Sequence, residues 1–318
     1  MNNSSAFSAP LTDLAVVRAS GADAADFLHG QFTQDITGLP PGQAHLAAYC
    51  TAKGRLLATL IILRDPKQAD DLIILVKADV APALVKRLTM FVLRAKVKLE
   101  ISPASVLGVS LPTHPAGAGV ASLTPPDPAA AWSVVQTDQG IWISAPSANE
   151  DIQRWWLVTQ AGAPSPDDAT GMLAAWQAAD IAAGLPWIES ATQDVFIPQT
   201  LNLDLINGVN FTKGCYPGQE VVARSHYRGT VKRRMAYGVA DSAAEAALLA
   251  GTDIYDTERP ESPGGRIVNA AAHDGRTHML LEVHLADIGA AQYRLGSIDG
   301  PHIALHPLPY HIDNSGEA

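Results

Sequence analysis

The most constraining stretch of the sequence is Leu56-Leu57-Ala58-Thr59-Leu60-Ile61-Ile62-Leu63, an uncharged apolar run bounded by Arg55 and Arg64. It is far shorter than the ~18 continuous apolar residues of a membrane span and reads as a buried strand. Its neighbours suggest a hairpin. Ala47-Ala48-Tyr49-Cys50 reads as a preceding strand, joined through Thr51-Ala52-Lys53-Gly54, a turn whose glycine can take positive φ. After the polar break Arg64-Asp65-Pro66-Lys67 come a strand over Leu72 to Val76, a helix from about Val80 to Leu93 and the alternating strand Lys96 to Ile101. With an earlier strand at Leu14 to Val17 and a short helix over Gly21 to Leu28, this order predicts a compact α+β unit.

Beyond it, the Pro-, Gly- and Ala-rich text from Leu111 to Ala131 reads as a connector. Strands are expected around Trp132 and Trp142, then helices near Ile152 to Val158 and Ala169 to Ala183, the second ended by Gly184 and Pro186. Trp155 and Trp156 read as packing residues. After Val231 the pattern changes to short apolar runs between Gly, Pro and Asp turns, which predicts a small all-β barrel as far as His311. The expected division is therefore 1–230 as α+β and 231–318 as barrel, with internal crossings near 46–52, 103–131 and 185–195.

Lys+Arg number 22 against Asp+Glu 32, a formal net charge of -10, which disfavours a sequence-blind nucleic-acid coat and confines any anion site to a local patch. The two cysteines, Cys50 and Cys215, are too few for a disulfide framework or a four-cysteine metal site, so no metal ligands are assigned. A cytoplasmic protein without a membrane segment is expected, since the first residues carry no positive charge and no apolar core of a secretion signal.

One segment departs from the acidic background: Asn210-Phe211-Thr212-Lys213-Gly214-Cys215-Tyr216-Pro217-Gly218-Gln219-Glu220, continuing to Arg224-Ser225-His226-Tyr227-Arg228-Gly229. Lys213, Arg224 and Arg228, followed by Lys232, Arg233 and Arg234, concentrate positive charge here, and Gly214, Gly218 and Gly229 allow close backbone approach, a combination suited to an anion. Cys215 sits two residues after Lys213 and before a Pro-Gly turn, where a nearby cation favours thiolate.

Lys213-Gly214-Cys215-Tyr216-Pro217-Gly218-Gln219-Glu220 with Arg224 and Tyr227-Arg228-Gly229 resembles the signature of the YgfZ family, folate-binding relatives of the glycine-cleavage aminomethyltransferase. Gly30-Gln31-Phe32-Thr33-Gln34-Asp35, Ala52-Lys53-Gly54-Arg55, Phe196-Ile197-Pro198-Gln199, Asn202-Leu203 and Leu308-Pro309-Tyr310 extend the likeness over nearly the whole chain. The resemblance implies a three-domain ring of two interleaved α+β domains and a C-terminal β-barrel. It also implies tetrahydrofolate or a derivative in a central channel, and support of iron-sulfur enzymes, including those that modify tRNA. By position, Lys213 and Cys215 match the residues on which family activity most depends, and Trp176 matches a tryptophan at the folate site. Gln219, Glu220, Arg224, Tyr227 and Arg228 are the further expected folate contacts, Arg224, Arg228 or Lys213 meeting the glutamate tail.

Two positions depart from the pattern. A second folate-site tryptophan of some members falls on Leu14, and the glutamate of the aminomethyltransferase Glu-x-Gly turn falls on Ala182, leaving Asp180 or Glu189 to substitute. The expected partners are a reduced folate and iron-sulfur client enzymes, without stable nucleic-acid binding. The rival readings are a folate-dependent aminomethyl or methyl transferase, with Asp79 as its acidic residue, and a tRNA-binding module built on the Lys213 to Arg234 cations.

Overall fold

The run at Leu56 lies in one of the two ten-residue strands of a five-stranded antiparallel sheet in a computed structural model that describes residues 6–113, 120, 123–127, 130–160, 169–227, 231–242 and 249–312. This first sheet comprises β2 (Leu14–Ser20), β3 (Ala44–Cys50), β4 (Leu56–Asp65), β5 (Gln68–Lys77) and β6 (Lys98–Ile101), in the order β3-β4-β5-β2-β6. On one face Leu60, Ile62, Leu72 and Ile74 pack beneath helices α1 (Ala24–His29) and α2 (Ala81–Phe91). Helix α2 carries Pro82 in its first turn and buries Ala81, Leu84 and Leu88, an i, i+3, i+7 stripe. The other face, through Ile61, Leu63, Ile73 and Leu75, joins a core shared with the rest of the protein.

The chain begins outside this sheet. β1 (Phe7–Pro10) pairs with β7 (Ser105–Pro112), which continues through β10 (Ile152–Thr159) and β9 (Ile141–Ala145) to β8 (Val134–Gln136), forming a second sheet. The segment at Ile152 is therefore a strand, not the helix its apolar run suggests. Arg154, Trp156 and Val158 enter the shared core, while Trp155 and Leu157 face Val109, Leu111 and Trp142. A strand covered on both faces loses the polar alternation that separates it from a buried helix. Both tryptophans are buried. Trp132 precedes β8 at φ 75° and stacks on Trp156 with centroids 6.0 Å apart. Of the expected connector, residues 114–119, 121–122 and 128–129 lie outside the described residues; within the rest, Val120 and Leu123 form a bridge.

Helix α3 (Ala169–Ala182) ends at Gly184, whose φ of +68° is the left-handed conformation that glycine tolerates. A Cβ there would come 2.6 Å from the Tyr310 ring. After the segment 185–218 comes α4 (Gln219–Tyr227), then a closed barrel of β11 (Arg233–Ala240), β12 (Asp253–Asp256), β13 (Arg259–His273), β14 (Arg276–His284), β15 (Tyr293–Leu295) and β16 (His302–His306). Ile254, Ile267, Met279, Leu281, Tyr293 and Ile303 fill it.

Side chains of the recognised motifs tie these bodies together. Buried Asn202, at φ +58°, donates to the Met235 carbonyl at 2.8 Å and accepts the Met235 N–H at 3.2 Å, so the barrel's first strand is hydrogen-bonded to the segment before α4. The Tyr310 hydroxyl donates to the Gly184 carbonyl at 3.2 Å. Gln199 donates to the Val222 carbonyl inside α4. Among the described residues, no helix is long and apolar enough to cross a membrane.

Candidate functional site

The loop that carries Cys215 is braced at three points. The Asn210 side chain accepts the N–H groups of Thr212 and Lys213, both at 2.9 Å, the local turn that asparagine favours. Lys213 then turns inward, its ammonium donating to the carbonyls of His29 and Phe32, the latter at 2.7 Å, with the Tyr216 ring 5.0 Å away. Burial draws the Lys213 pKa down to about 8, against the attraction of Asp35 and Cys215. At the far end Gly218, at φ +83°, rests on the turn before β4. A Cβ on it would lie 2.4 Å from the Thr51 carbonyl oxygen and 2.7 Å from the Gly54 Cα.

The Gly30 to Asp35 motif is the other half of this brace. Thr33 donates through Oγ1 to the Gly208 carbonyl at 2.7 Å, and its carbonyl accepts the Asn210 N–H at 2.9 Å. Gln34 donates to the Asn207 carbonyl at 2.7 Å. Two motifs far apart in sequence thus form one rigid unit that displays Cys215, which is exposed. Cys50, in contrast, is buried and its thiol is pushed up to about 12 by desolvation, an inert packing residue.

His29, which sequence reasoning passed over, belongs to the unit. Its Nδ1 lies 3.0 Å from Asp35 Oδ1, and Nε2 faces the loop, 3.5 Å from where a Gly214 Cβ would stand. Its position immediately before the Gly30 motif was the available signal.

The remaining predicted residues divide. Glu220, Arg224 and Tyr227 follow one another at i, i+4, i+7 along the exposed face of α4, with Val222 buried behind them. Gln219 opens that helix, half-buried. Tyr227 meets Phe211 and His226, and His226 stacks on Phe211 at 3.7 Å. Arg228 lies outside the described residues. Trp176 is placed elsewhere, in the shared core, 1% exposed, with the Arg154 guanidinium 4.1 Å from its ring centroid and Gly108 packed against the ring. Stacking of a ligand on this indole requires Arg154 to leave.

Next to Trp176, Gln177 opens onto a narrow polar crevice where β5, α3 and the barrel meet, about 20 Å³ lined by Lys77, Gln177, Asp180, Trp187, Glu189 and Asn269. Lys77 ends β5 opposite Leu14 and reaches Asp13 Oδ2 at 2.6 Å and Glu189 Oε1 at 3.3 Å. Burial alone would lower its pKa; the two carboxylates outweigh burial and push it up to about 12. Gln177 donates to Asp13 at 2.8 Å, and Asn269 donates to Glu189 at 3.1 Å. Of the two carboxylates considered as substitutes at Ala182, Asp180 has both oxygens engaged, by Arg154 at 2.5 Å and the Trp187 indole N–H at 3.0 Å. Glu189 lines the crevice and shares one oxygen between Lys77 and Asn269. Asp79 accepts the Ser190 N–H at 2.8 Å and so anchors the turn after Glu189. A carboxylate, two amides and a lysine offer the donor and acceptor set of a pterin edge, and the crevice must widen from about 20 Å³ to admit the ring.

No family model matches the chain. It is 31% identical over 315 residues to the tRNA-modifying protein YgfZ of Vibrio vulnificus strain CMCP6, covering 96% of this chain and 92% of the relative. It is 30% identical over 317 residues to the protein of that name from Yersinia pestis strain Pestoides F, with 95% and 92% covered. Among solved structures, the glycine cleavage system aminomethyltransferase T of Bartonella henselae superposes with a TM-score of 0.68 at 16% identity, covering 96% of this chain and 86% of that one, a likeness of fold. With the braced signature loop, the interlocked Gly30 motif and full-length similarity in agreement, the chain belongs to the YgfZ family.

Proposed function

We infer that this YgfZ-family protein binds a reduced folate and supports the iron-sulfur enzymes that modify tRNA, with Cys215 as the thiol that meets the client. The observation that carries this reading is an exposed cysteine on a loop whose conformation is fixed by Asn210, Lys213 and Gly218. An inert thiol needs no such bracing, and a loop that must present one does. The curated relatives named for tRNA modification support the direction of the role.

The crevice is the folate position that the side chains favour. Glu189 would accept ring N–H groups, and Asn269, Gln177 and Lys77 would complete the edge. When bound, a reduced folate supplies a one-carbon carrier. Arg224 on the exposed face of α4 is the described cation open to an anionic group, since the Lys213 ammonium is engaged by main-chain carbonyls.

The test has two arms. In a strain without its own family member, expression of this chain restores methylthiolated tRNA nucleosides, and Cys215→Ser at equal protein level does not; full restoration by Cys215→Ser would refute the thiol's role. Calorimetric titration with tetrahydrofolate shows saturable binding that Glu189→Gln weakens about tenfold, as expected for loss of a charged hydrogen-bond acceptor. Equal binding by that variant would remove the crevice from consideration.

A further inference from the structure

The largest departure from the acidic surface outside the signature loop lies on α2 and the segment after it. From Val80 to Leu99 the sequence holds Lys86, Arg87, Arg94, Lys96 and Lys98 and no Asp or Glu, in a chain whose net charge is -10. All five side chains are exposed. Lys98 reaches Glu100 at 2.5 Å, whereas among the described residues Lys86, Arg87, Arg94 and Lys96 form no ion pair. Within this basic ring stand Met90, Phe91 and Leu93, exposed by 63%, 50% and 88%. Large apolar side chains clustered at such exposure on a soluble surface mark a contact site.

The patch and the braced loop are linked through the core of the first sheet. Beside Met90 a cleft of about 260 Å³ is lined by Tyr49, Leu57, Leu84 and Arg87. Buried Tyr49 packs edge-on against Phe32, whose carbonyl accepts the Lys213 ammonium, and two residues beyond Tyr49 is Thr51, on which Gly218 rests. Helix α2 and the Gly30 motif also cover the same face of the first sheet.

We propose that this patch is the docking surface for the iron-sulfur client itself, a protein whose contacting face is acidic around an apolar centre. The proposal rests on the functional reading above and names where the client binds. The charge of the ring requires an acidic complement, and Met90, Phe91 and Leu93 require apolar surface to bury, the anchor-and-rim pattern of protein interfaces. RNA would use the cations and leave Met90 and Leu93 without partners, and an anionic membrane would repel the remainder of a chain of charge -10.

The test uses the full chain with a purified, cluster-loaded tRNA-methylthiolating enzyme as the probe. Leu93→Glu and the double variant Arg94→Glu/Lys96→Glu alter exposed groups, so unchanged thermal melting is expected and is checked first. Each is expected to weaken binding about tenfold or more, and Leu93→Ala less. Equal binding by wild type and Leu93→Glu, or absence of binding by wild type, overturns the proposal. Retention of tRNA or of anionic phospholipid vesicles that Arg94→Glu/Lys96→Glu abolishes, with no effect of these variants on the enzyme, also overturns it. In the complemented strain the two readings separate: full tRNA methylthiolation with Leu93→Glu but none with Cys215→Ser defeats the docking surface and leaves the thiol's role standing.

Discussion

Gly54 and Gly218 meet backbone to backbone, each at positive φ, and this contact seats the signature loop on the first sheet. A Cβ on Gly218 would stand 2.7 Å from the Gly54 Cα and N, and one on Gly54 would stand 2.9 Å from Val221 Cβ. Neither side can yield cheaply, because the obstructing atoms include main chain. Gly218→Ala is therefore expected to destabilise the protein by ~2 kcal/mol or more, from the left-handed φ together with the clash. Urea unfolding measures the loss, and an unchanged midpoint would mean that the loop is not held there.

Lys213→Met leaves the His29 and Phe32 carbonyls without their shared donor. The expected cost is ~1–3 kcal/mol, that of half-buried acceptors stripped of a partner. The same variant should let the Cys215 segment drift, read as a change in the rate at which Cys215 is alkylated.

The Lys213 pKa also gives a pH dependence with a definite sign. Its folded value of about 8 lies below the ordinary 10.5, so between these values the unfolded chain binds more protons than the folded one. Stability attributable to this group rises as pH increases from about 8 toward 10.5, and below about 8 the folded state carries the full penalty of a desolvated ammonium. Comparing wild type with Lys213→Met across this range isolates the slope; parallel curves would show that the ammonium titrates normally.

The two cysteines should behave as opposites. In native protein an alkylating reagent is expected to modify Cys215 rapidly and to leave Cys50 unmodified, and denaturant should release the second site. Peptide mass mapping distinguishes them, and native labelling of Cys50 would contradict its burial.

Removing one member of the buried Arg154–Asp180 pair is expected to cost ~3–5 kcal/mol, because the other charge is left in the core beneath Trp176. Asp180→Asn, which keeps the shape, should cost less than Arg154→Met. Thermal unfolding of the two variants decides the order. Loss of folate binding in either, without loss of stability, would move Trp176 from the core to the ligand.

Legibility in the sequence followed contiguity. The β3–β4 hairpin, α2 and the barrel announce themselves because their periodicity and turns are local, and the signature loop is a single uninterrupted segment. β10 was misread because burial of both faces erases the alternation that a half-exposed strand displays. The crevice was illegible for another reason: Asp13, Lys77, Gln177, Glu189 and Asn269 are single polar residues from five separate segments, and only the packing of the first sheet, α3 and the barrel makes them neighbours. Position alone does not convey the surroundings of Trp176. The aligned residue is present, and its ring is already occupied by Arg154.

The first strand of the chain is also the one that waits longest. β1 has its register partners at Leu107 to Ser110, so when it leaves the ribosome the edge it must join does not yet exist. The intervening first sheet can form without it, while Phe7 to Pro10 remain an unpaired ribbon until β7 follows. Synthesis order thus makes the second sheet a closing event, and a pause in translation before β7 prolongs the time during which a bare strand edge is open to wrong partners.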